Sequence, residues 1–366
     1  MKKKHGGDIW AASLQTQREA GEIIDFSSSI NPGGLAEGAR EAVTALLRNT
    51  RLSTAYPDPC SKALLRALGG YLDVKEENIL AANGSTHLIY LIPGVLRPER
   101  AVIVEPAFSE YAPALEANDT EVIPFLLNEE NGFNLDAGRL KETLQERRPE
   151  VLYIANPSNP IGRLTEKKVL LDIADFCRNQ GIYLVIDEAF IDFKEEYSMK
   201  HEASVQDHII VLRSMTKFFA LAALRLGYMI GSKGLIDKFR LAMAPWSVNT
   251  AAAAAGAASL ADRSYIKRTR SRLDREGPLM YEALTSIEGL KVYGSAANFF
   301  TLRLTERGGK DLRAPRLKEL LLDRGFLIRD LSNIRGLGES FFRIAVKSPA
   351  ENKLLIKELR AILGNG

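Results

Sequence analysis

Six short apolar runs between residues 101 and 231 constrain the fold of this chain more than any other feature of its sequence. Several are almost continuously apolar, which is typical of strands that are covered on both faces. Helical patterns precede and separate them, as at 85–96 and at 165–181. The alternation predicts an α/β fold with a mostly parallel sheet flanked by helices. The runs are AVIVE (101–105), VIPFLL (122–127), VLYIA (151–155), IYLVID (182–187), IIVLR (209–213) and GYMIG (227–231).

A second, smaller domain is expected after this region, because 366 residues are too many for one compact core. Beyond about residue 264 a long charged helical stretch leads to further strand-like runs such as FFRIAV (341–346). This pattern is typical of an α+β domain. We therefore divide the chain into an N-terminal segment (1–45), which contributes to the small domain and to the site, a large domain (46–264) and a small C-terminal α+β domain (265–366).

The composition excludes several classes of protein. A hydrophobic content of 46%, a charged content of 26% and a net charge of +3 are those of an ordinary globular protein without a nucleic-acid partner. The N-terminal lysines precede HGGDIW rather than an apolar run, and no stretch approaches a membrane span, so we expect neither export nor membrane insertion. Cys60 and Cys177 are far apart in sequence, which predicts free thiols and a cytoplasmic location. The four histidines lack metal-like spacing, so we expect no metal site.

Polar sets follow three of the predicted strands and precede one predicted helix. They are NPSNPIG (156–162), DEAF (187–190), SMTK (214–217) and NGST (83–86). Each has an ordinary structural interpretation by itself: a turn, a solvated acid or a helix cap. In open α/β sheets, however, ligands bind beyond the carboxyl ends of the strands, and a single ligand would account for all four sets.

That ligand is an aldehyde cofactor with a phosphate and a ring nitrogen. Lys217 is followed by seven apolar residues before Arg225; it either reaches water at the end of a turn or is a functional amine. A lysine amine condenses with an aldehyde, and a phosphate binds at helix N-termini, hydroxyls and arginine. A carboxylate such as Asp187 would keep a pyridine nitrogen protonated, and the amide of Asn159 would serve the ring oxygen.

This combination of motifs resembles the fold-type I pyridoxal-phosphate enzymes of the aspartate aminotransferase superfamily over nearly the whole chain. The strongest part is S-x-T-K with an arginine eight residues after the lysine, preceded by NPSNPIG and DEA in the right order. The resemblance implies pyridoxal 5′-phosphate as cofactor, a seven-stranded sheet in the large domain, and catalytic roles for Lys217 and Asp187. It also implies a homodimer with shared sites, in which Tyr56 of YPDP reaches the neighbouring subunit's cofactor. The further cofactor contacts that it implies are Asn159 on the ring oxygen, Phe108 on the ring face, and Gly84, Ser85, Thr86, Ser214, Thr216 and Arg225 on the phosphate.

One position departs from a close relative. Histidinol-phosphate aminotransferases usually carry tyrosine after DEA, where this chain has Phe190. The lost hydroxyl would leave Asn159 with more of the hydrogen bonding to the ring oxygen. A buried core aromatic is the ordinary interpretation of Phe190.

The two ends of the chain resemble the threonine-phosphate decarboxylases of the cobalamin pathway more than the histidinol-phosphate aminotransferases. The relevant segments are HGGD (5–8), DFSSSINPGG (25–34) and LIRDLSNIRGL (327–337), followed by FFRIAV. The resemblance implies a phosphorylated amino acid, L-threonine O-3-phosphate, as substrate. Candidate contacts are His5, Gly6, Ser29, Asn31, Asn159 and Arg329, with Arg343 on the carboxylate. An aminotransferase and a non-catalytic binding module are the alternatives; the intact Lys217 and Asp187 disfavour the module.

Overall fold

The computed structural model of this protein describes residues 6–305 and 312–364. Its strands are β1 (Ile24–Asp25), β2 (Ile79–Ala82), β3 (Arg100–Glu105), β4 (Glu121–Leu126), β5 (Val151–Ala155), β6 (Tyr183–Asp187), β7 (Ile209–Ser214), β8 (Gly227–Ile230), β9 (Leu290–Tyr293), β10 (Phe299–Leu304), β11 (Phe326–Leu327), β12 (Arg329–Asp330) and β13 (Phe341–Ala345). Its α-helices are α1 (Ile9–Thr16), α2 (Glu37–Arg48), α3 (Thr50–Ser53), α4 (Lys62–Leu72), α5 (Ser85–Leu96), α6 (Tyr111–Glu116), α7 (Ala137–Arg147), α8 (Lys167–Gln180), α9 (Lys200–Val205), α10 (Lys233–Ala242), α11 (Thr250–Ala261), α12 (Arg263–Thr285), α13 (Ala314–Asp323) and α14 (Pro349–Ile362).

A seven-stranded sheet carries the predicted α/β region, and its strand order is β2-β8-β7-β6-β5-β3-β4. The pairings from β7 to β4 are parallel, whereas β8 runs antiparallel to both of its neighbours. The prediction of a mostly parallel sheet flanked by helices is therefore confirmed. All six predicted runs are strands, and the sequence reading missed β2, a run of only four residues.

Both faces of this sheet are buried, which explains why its strands are apolar almost throughout. One apolar core lies between the sheet and helices that include α4, α8 and α11. A second lies on the opposite face, under α5, α6 and α10. Each of the strands β2 and β7 is buried at every position. A helix on each face is the usual arrangement for strands of this pattern.

A four-stranded antiparallel sheet, in the order β12-β13-β10-β9, forms the predicted α+β part of the chain. It packs with α12, α13 and α14 around a core of its own. The N-terminal segment joins this part, since β1 pairs in parallel with β11. Helix α2, by contrast, packs against α11. The boundaries at residues 45 and 264 stay a prediction.

Among the helices in the described parts of the chain, none combines the length and the apolar character that a bilayer span requires.

Candidate active site

A cavity lies where the carboxyl ends of β5, β6 and β7 face the four-stranded sheet. The N-terminus of α5 closes one side of it. Many of the residues predicted from the sequence line this cavity although they are far apart in the chain. These are Gly6, Ser85, Thr86, Phe108, Asn159, Asp187, Ser214, Thr216, Lys217, Arg225, Arg329 and Arg343.

Lys217 lies in the turn directly after β7 and is half-buried. Burial and the positive charges of Arg343 and Arg225 together lower the pKa of its amine to about 8, against the opposing influence of Asp25 and Asp187. Within residues 6–305 and 312–364, its ammonium forms no hydrogen bond or ion pair. A lysine with this pKa is neutral far more often at pH 7 than an ordinary lysine, and the neutral amine is the nucleophilic form.

Asp187 ends β6 and points into the same cavity. The hydroxyl of Tyr111 donates to its Oδ2 at 2.5 Å, and the backbone N–H of Ala189 donates to Oδ1 at 2.9 Å. Burial raises the pKa of Asp187, while these two hydrogen bonds and the charge of Lys217 act in the opposite direction. A cationic ring nitrogen beside the carboxylate would favour its ionised form.

Tyr111 is a residue that the sequence reading missed. It is buried in the first turn of α6, three positions after Phe108, and its ring contacts that of Phe108 edge-on at 5.8 Å. The segment EPAFSEY contained both aromatics, but only the fold brings the second one to Asp187.

A cradle of hydroxyl groups and an arginine lies at the N-terminus of α5. Ser214 Oγ and Thr216 Oγ1 are hydrogen-bonded to each other at 2.7 Å and face the cavity together with Ser85 and Thr86. The first N–H groups of a helix have no partner inside the helix, so they are available to an anion. The guanidinium of Arg225 completes the cradle.

Two glycines make the cradle possible. Gly84 has a φ of 78°, and a Cβ on it would lie 2.8 Å from Arg225 Nη2. A Cβ on Gly227 would lie 2.3 Å from the backbone nitrogen of Ser85, so β8 could not approach the helix. Gly84 was also predicted to contact the phosphate, but it does not line the cavity itself; its missing side chain leaves room for the arginine.

On the opposite wall, Arg329 and Arg343 are paired directly across from each other on β12 and β13. Both are buried, and like charges in such a pair repel. Burial and the neighbouring Arg329 lower the pKa of Arg343 to about 9, against the opposing charge of Asp25; burial also lowers the pKa of Arg329. Two buried guanidinium groups side by side in a cavity indicate a site for anionic groups.

Arg343 is held in place by the protein. Its Nη1 donates to Asn159 Oδ1 at 2.5 Å and its Nη2 donates to the carbonyl of Ser27 at 3.0 Å. Its Nε is buried without a partner among the described residues. With its oxygen engaged by Arg343, the Asn159 side chain has its N–H groups left to donate to a ligand.

Arg329 and its sequence neighbour Asp330 have different hydrogen-bond partners and do not form an ion pair with each other. The Nη2 of Arg329 donates to Asn333 Oδ1 at 3.1 Å, and the Asp330 carboxylate accepts hydrogen bonds from the backbone N–H and hydroxyl of Ser332. Arg329 lines the cavity instead.

The N-terminal segment contributes Ser27 and Ser28 to the cavity rather than Ser29. Asp25 accepts hydrogen bonds from the hydroxyls of both serines. The backbone N–H of Gly7 donates to Ser27 Oγ at 2.6 Å, which fastens the Gly6–Gly7 strap to this segment. A Cβ on Gly6 would lie 2.3 Å from the carbonyl of Ser27, so the close approach requires glycine.

Two predicted substrate contacts need correction. Ser29 is buried outside the cavity, and its hydroxyl has no partner among the described residues. Asn31 also lies outside the cavity: its amide donates to the carbonyl of Phe218 and to the hydroxyls of Tyr265 and Thr269. Since its backbone N–H also donates to the carbonyl of Lys217, Asn31 anchors the lysine turn instead of contacting a ligand. His5 lies outside the described residues.

The two aromatic residues Tyr56 and Phe190, which the sequence analysis singled out, lie in different places. Tyr56 is 80% exposed, lies away from the cavity and stacks on Trp246 at 4.7 Å. Phe190 lines the cavity and is also a core residue, packed edge-on against Phe299 at 5.0 Å.

The residues in this cavity fit pyridoxal phosphate. The lysine amine, the buried carboxylate, the anion cradle and the aromatic ring of Phe108 are all present in one cavity. A wall with two arginines remains for an anionic substrate.

Comparison with known proteins agrees with this chemistry. The family model for aminotransferase class I and II matches residues 21–359. Threonine-phosphate decarboxylase of Salmonella typhimurium is 37% identical to this chain over 361 residues, which cover 98% of this chain and 96% of that protein. Histidinol-phosphate aminotransferase of Clostridium kluyveri is 32% identical over 310 residues, which cover 84% of each. The crystal structure of L-threonine-O-3-phosphate decarboxylase from Porphyromonas gingivalis matches with a TM-score of 0.81 and 28% identity, covering 93% of this chain and 100% of that one.

Proposed function

We propose that this chain, which belongs to the aminotransferase class I and II family and uses pyridoxal 5′-phosphate, decarboxylates L-threonine O-3-phosphate to an aminopropanol phosphate. The observation that carries the proposal is the 37% identity to a threonine-phosphate decarboxylase over 98% of this chain. That similarity includes nearly all of both ends of the chain, where Gly6 and the two cavity arginines lie.

Separate groups of residues would hold the cofactor. The phosphate would bind at Ser85, Thr86, Ser214, Thr216 and Arg225, the ring nitrogen at Asp187, the ring oxygen at Asn159 and the aldehyde carbon at Lys217, with Phe108 against the ring. When bound, pyridoxal phosphate supplies an electron sink for the electron pair of a bond to the substrate Cα. The hydrogen bond from Tyr111 and the nearby positive charge of Lys217 favour the ionised form of Asp187, which is the form that pairs with a protonated ring nitrogen.

The two arginines would hold the two anionic groups of the substrate. Arg343 is fixed by Asn159 and by the carbonyl of Ser27, so it presents its guanidinium in one orientation to a carboxylate. Arg329 would take the phosphate together with Gly6 and His5. A bound dianionic phosphate would also offset the repulsion between the two paired guanidinium groups. Arg343 would fix the orientation of the carboxylate, and the orientation about Cα decides which bond to Cα breaks.

Lys217 would return the proton to Cα. Its lowered pKa of about 8 allows it to hold and release a proton near neutral pH. The overall reaction balances without an oxidant or a second substrate: the Cα–carboxylate bond breaks, carbon dioxide leaves, and one proton is added to Cα.

A second candidate is an aminotransferase acting on histidinol phosphate, and the 32% identity to such an enzyme over 84% of this chain favours it. One comparison separates the two. Purified protein is incubated with threonine phosphate alone and, separately, with histidinol phosphate plus 2-oxoglutarate. Our proposal requires carbon dioxide release in the first reaction. Turnover in the second reaction alone would favour the aminotransferase.

We also propose that the enzyme is a cytoplasmic homodimer in which each active site contains residues of both subunits. Tyr56 supports this, because it is exposed and lies away from the cavity of its own chain. Its ring stacks on Trp246, which is itself 47% exposed, so an aromatic surface is available to a second copy. An exposed free thiol at Cys60 is in keeping with a reducing compartment.

A further inference from the structure

A cluster of buried charges lies directly behind the wall of the cavity that contains Asp187 and Ser214. Its centre is Arg213, which is fully buried and forms ion pairs with Glu188, Asp192 and Glu195 at 2.9, 3.3 and 2.9 Å. We call these four residues the buried charge cluster. None of them lines the cavity.

The cluster is attached to the site through the backbone. Glu188 directly follows Asp187, and Arg213 directly precedes Ser214. Because successive side chains of a strand point to opposite faces, Asp187 and Ser214 face the cavity while Arg213 turns away from it. The Arg213–Glu188 ion pair therefore joins the ends of β6 and β7 on the face opposite the cofactor.

Glu188 is fixed from several directions. Its Oε1 accepts from the backbone N–H of Met199 at 2.7 Å, and its Oε2 accepts from the hydroxyl of Ser198 at 2.7 Å. That hydroxyl also accepts from Arg213 Nη2 at 2.9 Å. The backbone N–H of Glu188 donates to the carbonyl of Leu212 at 2.8 Å. The acid and the arginine thus have little freedom to move independently.

Stability alone does not explain these charges. A buried ion pair can often be replaced by apolar residues of similar size without loss of stability, so its presence is weak evidence for a stabilising role. The Nη1 and Nη2 groups of Arg213 form directional hydrogen bonds to Asp192, Glu195 and Ser198, and such bonds fix geometry in a way that apolar contacts do not. Nε contacts Glu188 as an ion pair without a hydrogen bond, and the Ser198 hydroxyl, which donates to Glu188 and accepts from Arg213, connects the two side chains directionally. A rigid separation between Asp187 and Ser214 is what a ligand held at both ends requires.

We infer that Glu188 and Arg213 are positioning residues for the cofactor: their ion pair holds the ends of β6 and β7 so that Asp187 and the Ser214–Thr216 hydroxyls are placed for the two ends of pyridoxal phosphate. The inference rests on the cofactor and on the geometry behind it. It does not depend on whether the enzyme decarboxylates or transaminates.

The test compares Glu188→Gln and Arg213→Met with Tyr71→Phe as a matched control. Tyr71 donates to Asp192 Oδ1 at 3.0 Å, so its variant loses a hydrogen bond to the cluster without touching the Glu188–Arg213 pair. For each holoenzyme we would measure the dissociation constant for pyridoxal phosphate and the pH at which the visible band of the lysine-bound cofactor changes. Thermal unfolding of the cofactor-free protein is measured alongside.

In Glu188→Gln and Arg213→Met we expect the dissociation constant for pyridoxal phosphate to rise about 10- to 100-fold, which is the loss observed when residues that support metal ligands are replaced. The pH at which the visible band of the lysine-bound cofactor changes should also differ from that of the wild type. Tyr71→Phe should leave both unchanged, whatever happens to its unfolding temperature. If the two cluster variants lose only thermal stability and keep the wild-type cofactor affinity and spectrum, the inference is wrong. Should Arg213→Met fail to fold, the near-isosteric Glu188→Gln decides by the same readouts.

Discussion

Replacing Arg343 by glutamine is the most informative single change in this site. The substitution keeps a polar side chain but removes the positive charge and the donors to Asn159 and to the carbonyl of Ser27. A hydrogen bond to a charged group contributes about 1.5–3 kcal/mol. Loss of that contribution to a substrate carboxylate should lower kcat/KM for threonine phosphate by about 10- to 150-fold. Arg343→Lys keeps the charge without the bidentate geometry, so its kcat/KM should lie between the values of the wild type and of Arg343→Gln.

The same variant should change the amine of Lys217. Arg343 is the largest source of positive charge that lowers the pKa of Lys217, so its removal should raise that pKa from about 8 toward the ordinary value for lysine. The pH dependence of Lys217 alkylation in cofactor-free protein, read by mass spectrometry, measures this shift. Activity and pKa are thus two independent readouts of one residue.

Arg303→Gln is the control for this experiment. Arg303 lies on β10, beside the strand that carries Arg343, but its guanidinium contacts Glu129 outside the cavity at 2.6 and 2.7 Å. This variant should keep kcat/KM within about twofold of the wild type. The reasoning fails if Arg343→Gln also stays within about twofold while Arg329→Gln loses about 100-fold, because the carboxylate site would then belong to Arg329.

Four further predictions follow from the site. Borohydride reduction of the holoenzyme should attach the cofactor to the peptide that contains Lys217, and a label on another lysine would contradict the assignment; Lys217→Ala should lose most of the activity. Inactive Lys217→Ala protein mixed with a Tyr56 variant should regain activity through hybrid dimers, whereas a strictly monomeric active enzyme would exclude shared sites. Removal of residues 1–8 should raise KM for the phosphorylated substrate more than it changes cofactor affinity, and an unchanged KM would exclude the strap from the phosphate site. Tyr111→Phe removes a hydrogen bond that lowers the pKa of Asp187, so the pKa of this carboxyl group should rise. Because more of the carboxylate is then protonated at low pH, kcat should fall most at low pH. An equal loss of kcat at every pH would count against this role of Tyr111.

Most of the residues predicted to contact the cofactor lie in one cavity, because many of them follow strands. Parallel strands that are adjacent in a sheet end at the same edge, so Asp187 and the Ser214–Lys217 turn had to meet once the strand pattern was recognised. The NGST motif likewise marks the start of a helix, and a helix N-terminus can be predicted as an anion site without knowing which distant residues lie beside it. These placements depend on local periodicity, which the order of the residues contains.

The substrate side could not be placed from the sequence. Ser27 and Ser28 rather than Ser29 line the cavity, because pairing of β1 with β11 and the hydrogen bonds to Asp25 fix how that segment turns. In an irregular segment, no periodicity tells which of three adjacent serines faces inward. Asn31 was misplaced for the same reason, since its three acceptors come from distant parts of the chain.

The sequence by itself thus determined the α/β architecture, the lysine and the carboxylate, since strand periodicity and the residues directly after each strand carry that information. Only the tertiary structure decided that Tyr111 donates to Asp187, that Arg329 stands opposite Arg343, and that Arg213 ties the ends of β6 and β7 together. Each of these contacts joins residues from different elements. Their geometry depends on how sheets and helices pack, which is a property of the whole core and not of any local stretch of sequence.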